Sequence, residues 1–182
     1  SPERFGRGMF NFLAMLHQAG ITTALDMGTG IYGNPLAEIA GVRAAANAYP
    51  VPVRVILTPI ILDFLTRGRS PEEALAEIRV WQSSNDDRVA VGNHFKLMID
   101  GAIFSGLAQM GAPGYLDGHQ GVWMVPEETL RAYSETFWRA GFQLHAHANG
   151  DAAVDRFLRL IGGLQRDFPR PDHRATIEHL AY

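Results

Sequence analysis

The chain has 182 residues, 47% of them hydrophobic and 19% charged, with ten Phe, five Tyr and three Trp. That composition excludes a disordered chain and suits one sizeable core. Sixteen basic residues against nineteen acidic ones give a net charge of −3 with no Lys/Arg run, so neither nucleic acid nor an anionic membrane is an expected partner. No apolar stretch approaches the roughly 20 residues of a membrane span. The start, Ser1-Pro2-Glu3-Arg4-Phe5, lacks the apolar segment of a secretory signal. The absence of cysteine removes disulfides and thiolate ligands, so a metal here would need His, carboxylate or a modified Lys. These features point to the cytoplasm.

Helical and strand-like segments alternate along the chain. Apolar residues at Phe5, Met9, Phe12, Leu13 and Leu16 form a helical stripe over 5–19, and Gly20 is placed to stop it. Residues 21–25 then read as a strand, 35–49 as an Ala-rich helix and 51–57 as a second strand. Ser70-Pro71-Glu72-Glu73 is a helix start, with an N-cap, a proline in the first turn and acids at the positive dipole end; that helix runs to about Ser84. Residues 95–99 form the third strand, and 101–125 a long glycine-containing loop of the kind that is usually functional. A helix from Pro126 to Gly141, a strand over 142–147, a helix from Asp151 to about Leu164 and a strand over 174–178 complete the reading. Asp151 is the expected cap of its helix.

Five strands separated by helices imply an α/β fold with a parallel sheet and crossover helices, either doubly wound or part of a (β/α)8 barrel. A complete barrel takes about 250 residues, so five strands would be an incomplete one. In such folds chemistry gathers at the carboxyl ends of the strands. Those ends present Asp26, Thr58, Lys96 to Asp100, His145-Ala146-His147 and Glu178-His179. His145 and His147 share one strand face, because side chains alternate with period two. Lys96 lies in an apolar strand where an unpaired ammonium is costly. It is expected either to pair with Asp100 or Glu178, or to carry a carbamate.

Three segments in register, Lys96-Leu97-Met98-Ile99-Asp100-Gly101 with Tyr115 and Gly121, His147-Ala148-Asn149-Gly150-Asp151, and Arg174-Ala175-Thr176-Ile177-Glu178-His179, resemble the amidohydrolase superfamily in its amidohydrolase-3 (YtcJ-like) branch. Gly20-Ile21-Thr22-Thr23 resembles the early strand of that branch. The resemblance implies a partial TIM-type barrel of the metal-dependent hydrolase kind, a single incomplete catalytic domain over 1–182. It implies one or two divalent cations, most often zinc, held by Lys96 (carboxylated), His147 and His179. Asp100, His145 and Glu178 would stand behind these ligands and orient them. The family's first-strand HxH pair and its last-strand Asp, the usual general base, have no counterpart here, since His145-Ala146-His147 follows the lysine strand rather than preceding it. The chain would then span strands 2–6 and be inactive alone.

The implied reaction is hydrolysis of an amide or cyclic amide C–N bond by metal-activated water, on a small-molecule substrate. Phe104, Tyr115 and Trp123 in the long loop would contact that substrate or pack the loop onto the rim. Exposed barrel edges would favour self-association. Two other readings compete: a non-catalytic fragment or pseudoenzyme, and a dinucleotide-binding domain. The second draws on Gly28, Gly30 and Gly33, a G-x-G-x-x-G run, but the confirming acid at the end of the second strand is missing, with Thr58-Pro59 in its place. His17, His119 and His173 receive no role, and His94 lies too far from the strand end to be a good ligand.

Overall fold

The computed structural model describes residues 2–181. Its described residues contain six parallel strands in two three-stranded sheets and fall into two compact units, one over 2–69 and 73–92, the other over 70–72 and 93–181.

The first unit opens with α1 (Pro2–Gln18), which Gly20 ends in a left-handed turn with φ +73°. Strand β1 (Thr23–Thr29) follows, then α2 (Pro35–Ala48), started by Asn34, whose side chain accepts from the Ala37 N–H at 3.2 Å. Strand β2 (Arg54–Pro59), a short α3 (Ile61–Thr66), α4 (Pro71–Gln82, whose first two residues group with the second unit) and β3 (Val89–Val91) follow in order. The sheet order is β1-β2-β3, with Leu25 beside Ile56 and Ile56 beside Ala90. Its core is Val55, Leu57, Ile60, Ile61, Phe64, Ile78 and Val89, all buried. Arg88 closes the bottom by donating to the carbonyls of Ala46, Tyr49 and Val51.

Two elements of this unit were not expected, β3 and α3, and the described residues hold six strands rather than five. Strand β3 is only three residues long and Gly92-Asn93 follows it, too short a run for period-two alternation to register. Strand β1 also runs on to Thr29, which places Asp26 inside the strand, level with Leu57, rather than at its end.

The second unit holds β4 (His94–Met98), α5 (Glu127–Arg139), β5 (Gln143–Ala148), α6 (Asp151–Asp167) and β6 (Thr176–His179), with sheet order β4-β5-β6. Phe95 on β4 stacks on Phe137 of α5 at 3.6 Å between ring centroids, and Phe142 meets Phe137 edge-on at 5.0 Å. Arg170 ties off the α5–β5 turn by donating to the carbonyls of Trp138 and Phe142 at 2.9 and 2.8 Å.

Between β4 and α5 the chain makes an ordered excursion with a single 3-10 turn at Ile103–Ser105 and an antiparallel bridge between Asp100 and Trp123. Gly121 is required there: a Cβ on it would lie 2.0 Å from the Ala108 carbonyl oxygen. Asp151 is not the helix cap. Gly150 holds the cap position without a side-chain bond, and Asp151, one residue further in, accepts from the N–H groups of Ala152 and Gly111 at 2.8 and 2.7 Å.

Candidate functional site

The register of the second sheet decides which side chains share a face. Lys96 lies beside His145, Met98 beside His147, and His147 beside Glu178. Neighbours in parallel register and residues two apart point the same way, so Lys96, His145, His147 and Glu178 share one face with His94. His179 pairs with Ala148 and by parity belongs to the other face. Its backbone sits in the left-handed region at φ +80°, uncommon for a residue with a side chain, and its ring lies 4.4 Å from the His147 ring in a T-shaped contact.

On this face the polar groups form one connected chain. His94 Nδ1 is 2.9 Å from His145 Nε2, His145 Nδ1 is 2.8 Å from Glu178 Oε1, and Glu178 Oε2 takes the Lys96 ammonium. Lys96 and His145 are each 3% exposed. Burial alone would raise the Glu178 carboxyl, but the hydrogen bonds from His145 and Lys96 overrule it and hold it down at about 2. The expected choice for Lys96, a carboxylate partner, is thus made in favour of Glu178 over Asp100. Lys96 is also the sole lysine of the chain; the other fifteen basic residues are arginines.

His147 is half-buried, and its imidazole is pushed down from its ordinary range by burial and by the neighbouring His179, against the pull of Asp100. It therefore stands neutral, the form that ligates cations. Asp100 is fully buried and faces backbone rather than imidazole: its two oxygens accept the N–H groups of Gln109, Asn149 and Gly150 at 2.8–2.9 Å. It fastens the long loop to the end of β5.

Of the loop residues, Phe104 is 93% exposed. Tyr115 stacks on His119 at 4.2 Å, and its buried hydroxyl has no hydrogen-bond partner among the described residues. Trp123 lies under the Arg156 guanidinium, 3.4 Å from the ring centroid, and is thereby packed onto the body of the unit.

Two residues escaped the sequence reading. His94, on the strand face of Lys96 but too far from the strand end for a ligand, bonds His145, a partner that its own strand does not reveal. Asn149, whose amide touches His147, offered no signal beyond its position next to a strand end.

As donors for a divalent cation, two imidazoles and a lysine side chain are of the right chemical kind. Their nitrogens have internal partners, since Glu178 holds Lys96 and Asn149 meets His147 Nε2. Among the described residues no group of three or more His, Asp or Glu is arranged to hold a metal ion. The residues present therefore fit a cation as a partial set, His147 and His179 with Lys96 behind them.

The G-x-G-x-x-G turn of the first unit is not built for phosphate. The Gly30 N–H donates to Glu38 Oε2 at 2.9 Å, so a carboxylate already takes that donor, and a Cβ on Gly30 would come within 2.9 Å of Asp63. A cleft of this unit, about 1140 Å³, lies along α1 and α2, lined by Phe5, Phe10, Tyr32, Ala37 and Gly41 among others. It contains none of the predicted site residues.

A family model described as "Amidohydrolase family" (Amidohydro_3) matches residues 1–182. The chain belongs to this family. No curated protein matches it. Two solved structures do, described as uncharacterized metal-dependent hydrolases from Pyrococcus horikoshii OT3 and Pyrococcus furiosus. The first is 16% identical with a TM-score of 0.62, covering 90% of this chain and 31% of that one. The second is 17% identical with the same TM-score, covering 91% and 32%. At such identity the likeness concerns the fold, which is the parallel strand and crossover-helix arrangement of the amidohydrolase barrel in part. The chain spans about a third of the length of these structures. No described helix is long and apolar enough to cross a membrane.

Proposed function

We propose that this amidohydrolase chain carries the lysine–histidine side of a divalent-metal site that hydrolyses an amide or cyclic amide C–N bond of a small molecule. The observation that supports the reading is the contact of Lys96 and His145 through Glu178, beside the His147–His179 ring pair, on β4, β5 and β6. One or two cations, zinc in this reading, would be held by His147 and His179, with Lys96 joining them as a carbamate. A divalent cation, when bound, supplies Lewis acidity that polarises a carbonyl and acidifies water. The chain's own part is to hold the His147 and His179 rings side by side. Glu178, with His145, keeps the Lys96 side chain at the site in its ammonium form and would give it up on carbamate formation, and Asp100 fastens the loop bearing Phe104, Tyr115 and Trp123 against substrate. The general base is supplied from outside these residues, so the chain alone is inactive.

In the same reading, 1–182 forms part of one catalytic barrel domain of a cytoplasmic protein. The exposed Phe10, Phe12 and Met15 of α1 favour self-association. Elemental analysis of the purified protein tests the metal reading. Zinc present in the parent and lost in both His147→Ala and His179→Ala supports it. Metal absent from the parent, or retained by both variants, overturns it and favours the non-catalytic alternative.

A further inference from the structure

Two hollows of the first unit share the side chains of Phe5, Tyr32 and Glu38. One is the cleft of about 1140 Å³ along α1 and α2. The other, about 240 Å³, is walled by Met9, Phe12, Val42 and Leu57, and the two charged residues lining it are Asp26 and Glu38. The aromatic walls are held in place by their neighbours. Gly41 puts a poor helix former in the middle of α2, and a Cβ there would lie 2.7 Å from the Phe5 ring, so the glycine lets that ring lie against the helix. Phe10 meets Tyr49 edge-on at 5.4 Å between ring centroids.

The carboxylates in these hollows lack a counter-charge. Glu38 Oε2 accepts the Gly30 N–H at 2.9 Å, and Asp26 Oδ2 accepts the Thr29 hydroxyl at 3.0 Å. Neither meets a cation among the described residues. The arginines of this region are committed elsewhere: Arg67 to Asp63 and Glu77, and Arg7, which lines the cleft, to Glu3. Burial, joined at Glu38 by the acids Asp26 and Asp63, raises both carboxyls, the direction expected of acids with no cation beside them.

We propose that the cleft binds a small arylalkyl ammonium ion, its ring against Phe5, Phe10 and Tyr32 and its N–H groups on Glu38 and Asp26. Apolar walls with a few converging polar groups are the ordinary make-up of a small-molecule site. Aromatic faces attract a cation, and an ammonium offers three donors and no acceptor, which suits groups that only accept. An alcohol of the same shape leaves both charges uncompensated, and an anion is repelled by them. The proposal uses no residue of the metal reading, so the two stand or fall separately.

Calorimetric titration of the full chain at neutral pH, with 2-phenylethylammonium and its neutral isostere 2-phenylethanol, tests it. The amine should bind saturably and the alcohol about tenfold or more weakly, with amide shifts from the amine on α1, α2 and 30–34. Glu38→Gln, which keeps an oxygen for the Gly30 N–H, and Asp26→Asn should each weaken the amine about tenfold and leave the alcohol unchanged. Equal affinity for amine and alcohol, unchanged amine affinity in either variant, or no saturable binding of the amine overturns the proposal. The comparison of the two ligands on the parent needs no variant to fold. A parent that sediments as a dimer, with α1 and α2 protected from exchange and unmoved by the amine, gives the cleft to a second copy and overturns the proposal as well.

Discussion

Both units are built from parallel strands and crossover helices, yet they treat buried charge in opposite ways. In the first unit Glu38 stands near both Asp26 and Asp63, while Arg67 is occupied by Asp63 at 2.6 Å and by Glu77 at 2.8 Å. Burial, reinforced at Glu38 by its acidic neighbours, pushes both carboxyls above their ordinary values. In the second unit Glu178 lies between a lysine and an imidazole and is pushed far below its own. The same residue type is thus a liability in one sheet and an anchor in the other, and the partner rather than the fold makes the difference. In the first unit the raised carboxyls of Asp26 and Glu38 are met by a hydroxyl and a backbone N–H, of Thr29 and Gly30, rather than by a cation. The polar groups of the second are bonded to one another, the arrangement expected where side chains are held for chemistry.

Removing the anchor should break this contrast most visibly. Glu178→Ala leaves the Lys96 ammonium buried without its carboxylate and should cost about 3–5 kcal/mol in urea unfolding. Lys96→Met removes the charge itself and should cost about 1 kcal/mol or less; equal losses from the two would show that the pair is not what matters. Asp100→Ala strands three backbone N–H groups and should cost about 3 kcal/mol, with hydrogen exchange rising first around 101–111 and 149–151. In the first unit Gly30→Ala puts a methyl group at φ +96° against Asp63 and should cost about 1–3 kcal/mol. A neutral result there would mean that the acidic turn is loose.

Acidification sharpens the comparison. A carboxyl whose folded value is raised is eased by protonation, so the first unit should gain protection as pH falls through the raised values of Asp26 and Glu38. A depressed carboxyl behaves oppositely: the contribution of Glu178 is complete above its ordinary 4.5 and is lost as pH falls from there toward about 2. Hydrogen exchange of β1–β2 and β5–β6 peptides, corrected for intrinsic rate, should diverge in this order. Parallel weakening of both sheets above pH 4.5 would contradict the assignment. The smallest expected effect on stability is that of Phe104→Ala, under about 0.5 kcal/mol for so exposed a side chain.

Much of this was legible in the sequence. Period and capping chemistry located α1, α2, α4 and the strands around Lys96 and His147, because long segments with proline or glycine punctuation leave strong local signals. The pairing of Lys96 with a carboxylate was foreseeable from the cost of an isolated buried ammonium, though which carboxylate was not: Asp100 is nearer in sequence, but strand register brings Glu178 to the lysine face. Strand β3 was missed because three residues carry no period. Asp151 looked like a cap, yet the helix begins on Gly150, and the acid turns to Gly111, forty residues away. The roles of His94 and Asn149 depend on partners on other segments, which no single-strand pattern contains.

The arginines of the chain outnumber its lysine fifteen to one, and that lysine is the one in the site. A lysine-specific isotopic label therefore yields a single side-chain resonance. Without any mutation, that resonance distinguishes a free ammonium, an ion pair with Glu178 and a carbamate. The composition of the chain has in effect installed a one-atom reporter at the place where its chemistry is to be decided.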